Sequence, residues 1–162
     1  DTLLADLPSQ STFLVFLDQV QDPHNLGAII RSAHALGAQG LVVPERESAG
    51  LSPAALKASA GAALHLPVCR VANLQKALQK ATAYGLFIAG LDAEGETAFT
   101  AVDFTKPCAL VIGNEGKGLR RMVKQRCDTL LQIPMAADSV GSFNASVAAG
   151  IVLYEVFRQR QC

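Results

Sequence analysis

The chain has 162 residues, of which half are hydrophobic, and its 14 basic and 14 acidic side chains leave no net charge. This length suits a single domain over residues 1–162 with a sizeable buried core. The charge balance argues against a domain that binds nucleic acid alone, unless a local basic patch or another domain supplies the contacts. Charged residues are only 17% of the chain, which favours a compact α/β protein with part of its surface buried in an oligomer.

The four cysteines indicate free thiols and no metal site. They are too far apart for a CxxC pair, so we expect no zinc or other metal. Three of them lie in or beside apolar segments and are predicted to be buried, and the fourth is terminal: Cys69, Cys108, Cys127 and Cys162. No run approaches the ~18 apolar residues of a membrane span, and no stretch has the pattern of a signal peptide. We therefore expect a cytoplasmic protein.

Short continuous apolar runs alternate with helical patterns along the chain. The runs predict strands buried on both faces, at 13–17, 41–43, 66–71, 86–91, 108–113 and 130–135. Helices are predicted between them, near 26–37, 53–63, 73–84, 119–126 and 143–160. This alternation predicts an α/β fold with a parallel sheet and helices on both faces.

Some helix boundaries have a recognisable chemical cause. Asn73 is a suitable N-cap for the helix at 73–84, and Gly85 can end it. Ser52 followed by Pro53 predicts the start of the helix around Lys57.

The first motif is DPHNLGAIIRSA at 22–33, which joins the first strand to a helix. Asn25 is a good N-cap, and a purely structural role is as well supported as a functional one. Arg31 lies among apolar residues near the start of the helix, where the helix dipole disfavours a cation, so a specific task is plausible. His24 could act as a base, although a loop histidine is more often only solvated.

The second motif is ALVIGNEGKGLRR at 109–121, a strand followed by a glycine-rich turn. The P-loop pattern fails, because Val111 replaces the first glycine and Gly118 replaces the Ser or Thr. The G-x-G-x-x-G pattern fails as well. Glu115 would repel a polyphosphate, so the turn fits a neutral or cationic ligand better, unless it is only a connection.

The third motif is IPMAADSVGSFNASVAAG at 133–150, in which a strand leads through small residues into a long helix. Ser142 is a candidate N-cap, alone or together with a functional role. The small residues at 145–150 indicate that another segment or a second copy of the chain packs closely there. Farther along this helix, Val147, Ile151 and Tyr154 share one face.

These three motifs, in this order and spacing, resemble the SpoU (TrmH) family of RNA ribose 2′-O-methyltransferases. The resemblance extends over about residues 12–160, with Phe143 where leucine is usual and Ala145 where valine is common. It implies a SPOUT fold, in which the C-terminal part of the sheet is threaded into a trefoil knot, and a homodimer. It also implies S-adenosylmethionine as the methyl donor, bound near Gly113, Ile133, Phe143, Met135, Leu91 and Gly90.

The resemblance further implies which side chains carry the chemistry. Arg31 would lie where the ribose 2′-oxygen attacks the sulfonium methyl. Because its pKa exceeds ~12, we favour binding of the adjacent phosphate or of the developing alkoxide, with action as a base as the alternative. Asn25 would orient Arg31 or the ribose, and Glu115 would anchor Arg31 or another cation. Ser142 and Asn144 would line the methyl-transfer site.

The implied substrate is RNA, with a guanosine 2′-hydroxyl of 23S ribosomal RNA first and transfer RNA as the alternative. Lys117, Arg120 and Arg121, with Lys124 and Arg126, would form a positive patch, although a solvated helix face is an equal interpretation. Relatives of that type carry an N-terminal RNA-binding domain, which we expect this chain to lack. Two other functions stay open: a module that binds RNA or cofactor without turnover, and an enzyme for nucleotide phosphates on a doubly wound sheet, which the failed motifs disfavour.

Overall fold

The computed structural model describes residues 2–139 and 141–161. Its core is one sheet of seven strands: β1 (Phe13–Leu17), β2 (Gly40–Pro44), β3 (Val68–Val71), β4 (Phe87–Leu91), β5 (Thr97–Ala98), β6 (Cys108–Ile112) and β7 (Thr129–Gln132). Their order across the sheet is β3–β2–β1–β6–β4–β7–β5. Every neighbouring pair is parallel.

Within residues 2–139 and 141–161, six α-helices connect and cover these strands: α1 (Thr2–Ala5), α2 (Pro23–Ala35), α3 (Pro53–Ala58), α4 (Leu74–Ala83), α5 (Arg121–Lys124) and α6 (Ala145–Arg160). Short 3₁₀ turns lie at Ala62–Leu64 and Phe99–Ala101. Side chains of β1 alternate between two cores, as the period of a strand requires. Val15 packs in the core under α2 and α6, whereas Leu14 and Phe16 pack in the core under α4 and α5. The predicted α/β fold with helices on both faces is confirmed.

Several element boundaries differ from the sequence predictions. Pairing in β3 begins only after Pro67, which has no amide hydrogen to donate. The helix predicted at 53–63 stops at Ala58, because Ala60 and Gly61 adopt φ angles of +50° and +86°. The helix predicted at 119–126 is reduced to α5, and the last strand ends at Gln132. The sequence patterns missed α1 and β5, which are too short to show periodicity.

The helix caps confirm two predictions and correct two others. Asn73 caps α4 by accepting from the amide of Lys76, and Ser52 caps α3. Asp22, and not Asn25, caps α2, since Asn25 lies inside the first turn and is buried. Asn144, and not Ser142, caps α6. Asn25 and Ser142 therefore do not have the N-cap role that was considered for them.

The connection between β4 and β5 crosses over β7. Leu91 at the end of β4 and Thr97 at the start of β5 both pair with Leu131, on opposite sides of β7. Residues 92–96 pass over the strand with their backbone in contact with it. A Cβ at Gly95 would lie 2.6 Å from the carbonyl oxygen of Leu131. Only glycine fits so close an approach. The trefoil knot itself stays a prediction, and this crossing is where a threaded segment would lie.

The cysteines of the described residues are all free, but only one is buried. Cys108 is buried, whereas Cys69 on the edge strand β3 and Cys127 before β7 are half-buried, which corrects the prediction of three buried thiols. Burial raises the pKa of Cys108 to about 11 and that of Cys127 to about 12. Cys162 lies outside the described residues. No helix in the described part of the chain has the length and apolar character that a membrane crossing requires.

Candidate active site

A cavity of about 280 Å³ lies at the carboxyl edge of the sheet, beside the ends of β4, β6 and β7. This edge is where open parallel sheets bind their ligands. Its walls come from four segments, at 91–93, 112–118, 132–135 and 141–148. The described lining is mostly apolar side chains and backbone, and its charged members are the carboxylates of Asp92 and Glu115.

The cavity brings together most of the residues expected at the cofactor. Ser142 and Glu115 lie in its wall together with Leu91, Gly113, Ile133, Met135 and Phe143. Gly90 does not line it, and we withdraw it from the candidate set. Successive residues of a strand face opposite sides of the sheet. A Cβ at Gly90 would accordingly lie 2.6 Å from the sulfur of Cys127, on the other face.

The turn after β6, residues 113–118, closes on itself and is called the glycine loop below. Asn114 and Gly118 exchange both backbone hydrogen bonds, at 3.2 and 2.9 Å. Gly116 and Gly118 have φ angles of +88° and +67°, which favour glycine. A Cβ at Gly113 would lie 2.5 Å from the carbonyl of Gly118, so the loop can fold back only over a glycine. The loop therefore presents largely bare backbone to the cavity.

Three polar side chains from distant parts of the chain meet beside this loop and form the amide–carboxylate cluster (Asn25, Glu115 and Asn144). Nδ2 of Asn25 donates to Oε2 of Glu115 at 3.4 Å. Nδ2 of Asn144 donates to the same oxygen at 3.3 Å and to Oδ1 of Asn25 at 3.1 Å. Oδ1 of Asn144 accepts from the amide of Ser146 in capping α6, so the cap fixes which end of the amide faces Glu115.

A second cavity, of about 200 Å³, adjoins the first at Glu115, whereas Asn144 itself lines neither cavity. Both cavities are lined by Asn114, Glu115 and Ala145. The remaining wall of the second cavity is the β1–α2 connection at Val20, Gln21 and Asp22, together with Asn25 from the first turn of α2. Sequence reasoning missed this cavity, although its lining residues at 20–25 overlap the start of the first motif at 22–33. Two cavities that share a polar wall can hold two ligands against each other.

Arg31 lies on α2 away from the cluster. Its side chain is exposed, lines neither cavity, and makes no hydrogen bond or ion pair with any described residue. Six helical residues separate it from Asn25, which places it about 9 Å along the axis and roughly 120° around it. The expected contacts of Arg31 with Asn25 and Glu115 are therefore absent. The amides of the cluster hold Glu115 instead.

Arg120, expected at the RNA, is engaged within the protein. Its Nη2 lies 2.7 Å from Oδ1 of Asp18, whose side chain is only 1% exposed. Its Nη1 lies 3.7 Å from the carboxylate of Glu47. Breaking this ion pair would leave the buried carboxylate of Asp18 without a balancing charge. We therefore assign Arg120 a structural role beside Asp18 instead of a contact with RNA.

Lys124 is also paired, which leaves a smaller basic surface than the sequence indicated. Its Nζ lies 3.1 Å from Asp92 and 3.3 Å from Glu94, and the hydrogen bond with Asp92 raises the pKa of Lys124. Of the cations that the sequence assigned to this patch, three are exposed and make no ion pair within the described part of the chain: Lys117, Arg121 and Arg126.

Asp18 and Asp92 are site residues that sequence reasoning missed. Each directly follows an apolar strand, β1 or β4, and each is almost fully buried. An acidic residue at the carboxyl end of a buried parallel strand was the available signal, because these ends converge at the ligand-binding edge.

The lining chemistry fits a cationic nucleoside better than a phosphate. The carboxylates of Asp92 and Glu115 would repel a polyphosphate and attract a positive charge. The bare backbone of the glycine loop can approach a flat base and hydrogen-bond to it. Among residues 2–139 and 141–161, no three His, Cys, Asp or Glu side chains are grouped to hold a metal ion.

Comparison with known proteins identifies the family. Residues 12–154 match the model of the SpoU rRNA Methylase family. YacO of Bacillus subtilis, whose name places it provisionally among TrmH-family tRNA/rRNA methyltransferases, is 47% identical over 156 residues. That alignment covers 96% of this chain and 62% of YacO.

Solved structures of methyltransferases are similar to this chain as well. The SpoU methyltransferase AviRb from Streptomyces viridochromogenes, in complex with the cofactor AdoMet, has a TM-score of 0.87 and 35% identity, over 96% of this chain and 63% of AviRb. An RNA 2′-O ribose methyltransferase has a TM-score of 0.84 and 27% identity, over 96% of this chain and 59% of its own length. The chain thus spans less than two thirds of each of these relatives. Its matched residues and its sheet show that it belongs to the SpoU rRNA Methylase family.

Proposed function

We propose that this domain transfers a methyl group from S-adenosylmethionine to a ribose 2′-hydroxyl of RNA. The observation that carries the proposal is that Glu115, held by Asn25 and Asn144, lies in the wall shared by two adjoining cavities. A group transfer needs its donor and its acceptor held against each other at one point. S-adenosylmethionine is the cofactor of the family, and the similar protein described as an RNA 2′-O ribose methyltransferase supports the ribose as acceptor.

The larger cavity is the place for the cofactor. Backbone at Gly113, Ile133 and Phe143 would hold the adenosine, with apolar contacts from Leu91 and Met135. When bound, the cofactor supplies a methyl group on a sulfonium, which is already a good leaving group. Phe143 is 37% exposed and brings an aromatic ring to the adenine side in place of the usual leucine side chain.

The smaller cavity is the place for the acceptor ribose. Oε1 of Glu115 accepts no hydrogen bond from a described residue, so it can accept one from the 2′-hydroxyl and orient that group. Asn25 and Asn144 hold Oε2 of the same carboxylate and keep it pointed between the two cavities. Ser142 lies on the cofactor side of this wall, within the larger cavity.

Arg31 is proposed to act on the RNA backbone. Its exposed guanidinium has the planar donor geometry that binds phosphate oxygens. Held beside the acceptor nucleotide, it would position that nucleotide or stabilise the developing alkoxide. Action as a base is the alternative, although a pKa above ~12 opposes it.

The RNA itself is proposed to be ribosomal, with a guanosine of 23S ribosomal RNA first and transfer RNA second. The exposed cations Lys117, Arg121 and Arg126 are the proposed phosphate contacts. The free thiols at Cys69, Cys108 and Cys127 fit a reducing compartment such as the cytoplasm, where these RNAs are found.

A homodimer is proposed because α6 exposes an apolar stripe. Val147 and Tyr154 are 49% and 56% exposed, with the half-buried Ile151 between them. A Cβ at Gly150 would meet nothing within 4 Å, so this part of the helix is open for close packing by a second copy. Exposed apolar residues in one patch are typical of protein interfaces.

The decisive experiment maps 2′-O-methyl groups on ribosomal and transfer RNA from cells with and without the full-length protein. One methyl group that disappears with the protein and returns with the wild-type gene is expected. If no 2′-O-methyl depends on the protein, the proposal fails. If the purified protein binds labelled S-adenosylmethionine but never passes the label to RNA, the chain is a binding module. Tight ATP or NAD binding without S-adenosylmethionine binding would instead favour the nucleotide-phosphate class.

A further inference from the structure

Two consecutive backbone amides just after the glycine loop are each held by a carboxylate. The amide of Leu119 donates to Oδ2 of Asp92 at 3.3 Å. The amide of Arg120 donates to Oδ2 of Asp18 at 2.8 Å. The two acids come from the ends of β4 and β1, which are the neighbours of β6 on either side. The segment that follows the glycine loop is therefore hydrogen-bonded to the strand ends on both sides of β6.

Both carboxylates are buried and each is balanced by one cation from the same segment. Asp18 is 0% exposed and also accepts from Nε of Arg120 at 2.7 Å. Asp92 is 5% exposed and pairs with Lys124, while its other oxygen accepts from the amide of Glu94. A buried carboxylate is costly to desolvate, and each of these two also accepts a backbone hydrogen bond from the segment that leaves the glycine loop. What they hold in place is the glycine loop.

The start of the loop is fixed in the same way. Nδ2 of Asn114 donates to the carbonyl of Gln19, in the β1–α2 connection, at 2.9 Å. Gly118, whose φ angle is +67°, packs against Asp92 so closely that a Cβ there would lie 2.9 Å from Oδ2. Bare glycine backbone has high conformational entropy, and these side-chain contacts from outside the loop remove that freedom.

We infer that Asp18 and Asp92 are positioning residues for the cofactor: by holding the amides of Leu119 and Arg120, they keep the glycine loop in its binding shape before the ligand arrives. A loop that is already ordered loses less entropy on binding, which increases affinity. The inference rests on the proposed function only in taking the larger cavity as the cofactor site. Asp18 lines neither cavity, so its effect on binding must pass through the loop.

The test compares three alanine variants of the full-length protein by calorimetric binding of S-adenosylmethionine and S-adenosylhomocysteine, without RNA. Asp18→Ala and Asp92→Ala should each weaken both ligands by about tenfold or more. The matched control is Asp128→Ala, because Asp128 also accepts a backbone hydrogen bond, from the amide of Ile88 at 2.7 Å, but at the amino end of β4. Its affinities should stay within about twofold of the wild type, although its melting temperature also falls.

The two ligands separate positioning from direct charge attraction. S-adenosylhomocysteine lacks the sulfonium charge, so a positioning role weakens both ligands by the same factor. If Asp92→Ala weakens only S-adenosylmethionine, Asp92 acts on the charge and its positioning role is refuted. The conservative variant Asp92→Asn keeps an oxygen for the amide of Leu119 and should recover most of the affinity for S-adenosylhomocysteine.

Hydrogen exchange of the wild-type protein provides a test that needs no variant to fold. The amide hydrogens of Leu119 and Arg120 should be protected without ligand, and S-adenosylhomocysteine should change their exchange little. Fast exchange that slows only on binding would overturn the inference, as would wild-type affinity in Asp18→Ala. Because no arm uses RNA, a protein that gives the expected binding results but methylates no ribose would contradict the proposed function alone.

Discussion

Asn144 performs two tasks with one side chain. Its oxygen caps α6 through the amide of Ser146, and its nitrogen donates to Asn25 and Glu115. The requirement for an accepting oxygen at one end and two donated hydrogen bonds at the other explains why an amide stands here, since an aspartate could cap but has no hydrogen to donate, and a serine has only one. The sequence presented Asn25, Glu115 and Asn144 as separate candidates, and it could not show that they touch, because 90 and 119 residues separate the contacting pairs.

The role proposed for Arg31 can be separated from cofactor binding by experiment. Arg31→Ala should abolish methyl transfer, because the proposed contact with the RNA backbone is lost. Cofactor affinity should stay within a few-fold of the wild type, because Arg31 lines neither cavity. Single-turnover methylation and calorimetry measure the two quantities. Arg31→Lys keeps the charge but loses the planar fork and should recover only part of the rate. A large loss of cofactor affinity in Arg31→Ala would contradict the role assigned here.

The neighbouring cations Arg120 and Arg121 should respond in opposite ways to the same substitution. Arg120→Gln leaves the buried carboxylate of Asp18 without its cation and should lower the free energy of unfolding by about 2 kcal/mol. Arg121→Gln should leave stability within about 0.5 kcal/mol and weaken RNA binding, because the residue is exposed and unpaired among the described residues. Urea unfolding and RNA titrations at two salt concentrations measure these effects. Equal losses of RNA affinity in both variants would argue against the assignment.

At the scale of elements, α6 illustrates what a sequence pattern can and cannot predict. Its buried side, with Ala149, Val152 and Val156, is as apolar as its exposed stripe with Val147 and Tyr154. Periodicity therefore predicted the helix but could not select the face that meets the sheet. The strands β1, β2, β4 and β6 were predictable because both faces are buried and the runs are continuous. The two residues of β5 carry no such pattern.

The end of α6 is anchored by polar contacts rather than by apolar packing. Arg160 donates to the carbonyls of Ser11, Phe104 and Lys106 at 2.8–2.9 Å and lies 5.2 Å from the ring centre of Phe13. One turn earlier, the carboxylate of Glu155 accepts hydrogen bonds from Arg158 and Gln159. These contacts tie the end of the chain to the amino edge of the sheet, opposite the site.

Glu155 should make stability depend on acid pH. The hydrogen bonds of Arg158 lower the pKa of Glu155 from 4.5 to about 2. A carboxylate whose pKa is lower in the folded state contributes stability that is complete above pH 4.5 and is lost as the pH falls towards 2. Glu155→Gln should therefore lose less unfolding free energy than the wild type over this range, as measured by urea unfolding. The exposed Glu45→Gln should keep the wild-type profile, and an unchanged profile in Glu155→Gln would contradict the prediction.

At the scale of the whole molecule, the exposed stripe on α6 should control assembly. Replacing Val147 and Tyr154 together by aspartate should convert a dimer into a monomer, because two charges would have to be buried in the interface. Analytical ultracentrifugation measures the change. Tyr84→Asp is the matched control, since Tyr84 is 50% exposed at the end of α4, in the layer on the opposite face of the sheet. A wild-type protein that sediments as a monomer, or a charged double variant that remains dimeric, would remove α6 as the interface.

The passage of residues 92–96 over β7 also has a consequence for biosynthesis. The larger cavity takes Asp92 and Ala93 from the overlying connection, and it takes Gln132 from the end of β7, with Ile133 and Met135 from the residues that follow that strand. These two walls meet only after β7 has taken its place between β4 and β5, and β7 leaves the ribosome after both of those strands and after β6. A nascent chain that has finished β6 possesses the glycine loop but no pocket. Ligand binding in the larger cavity thus requires that β7 has been synthesised and has paired with β4 and β5.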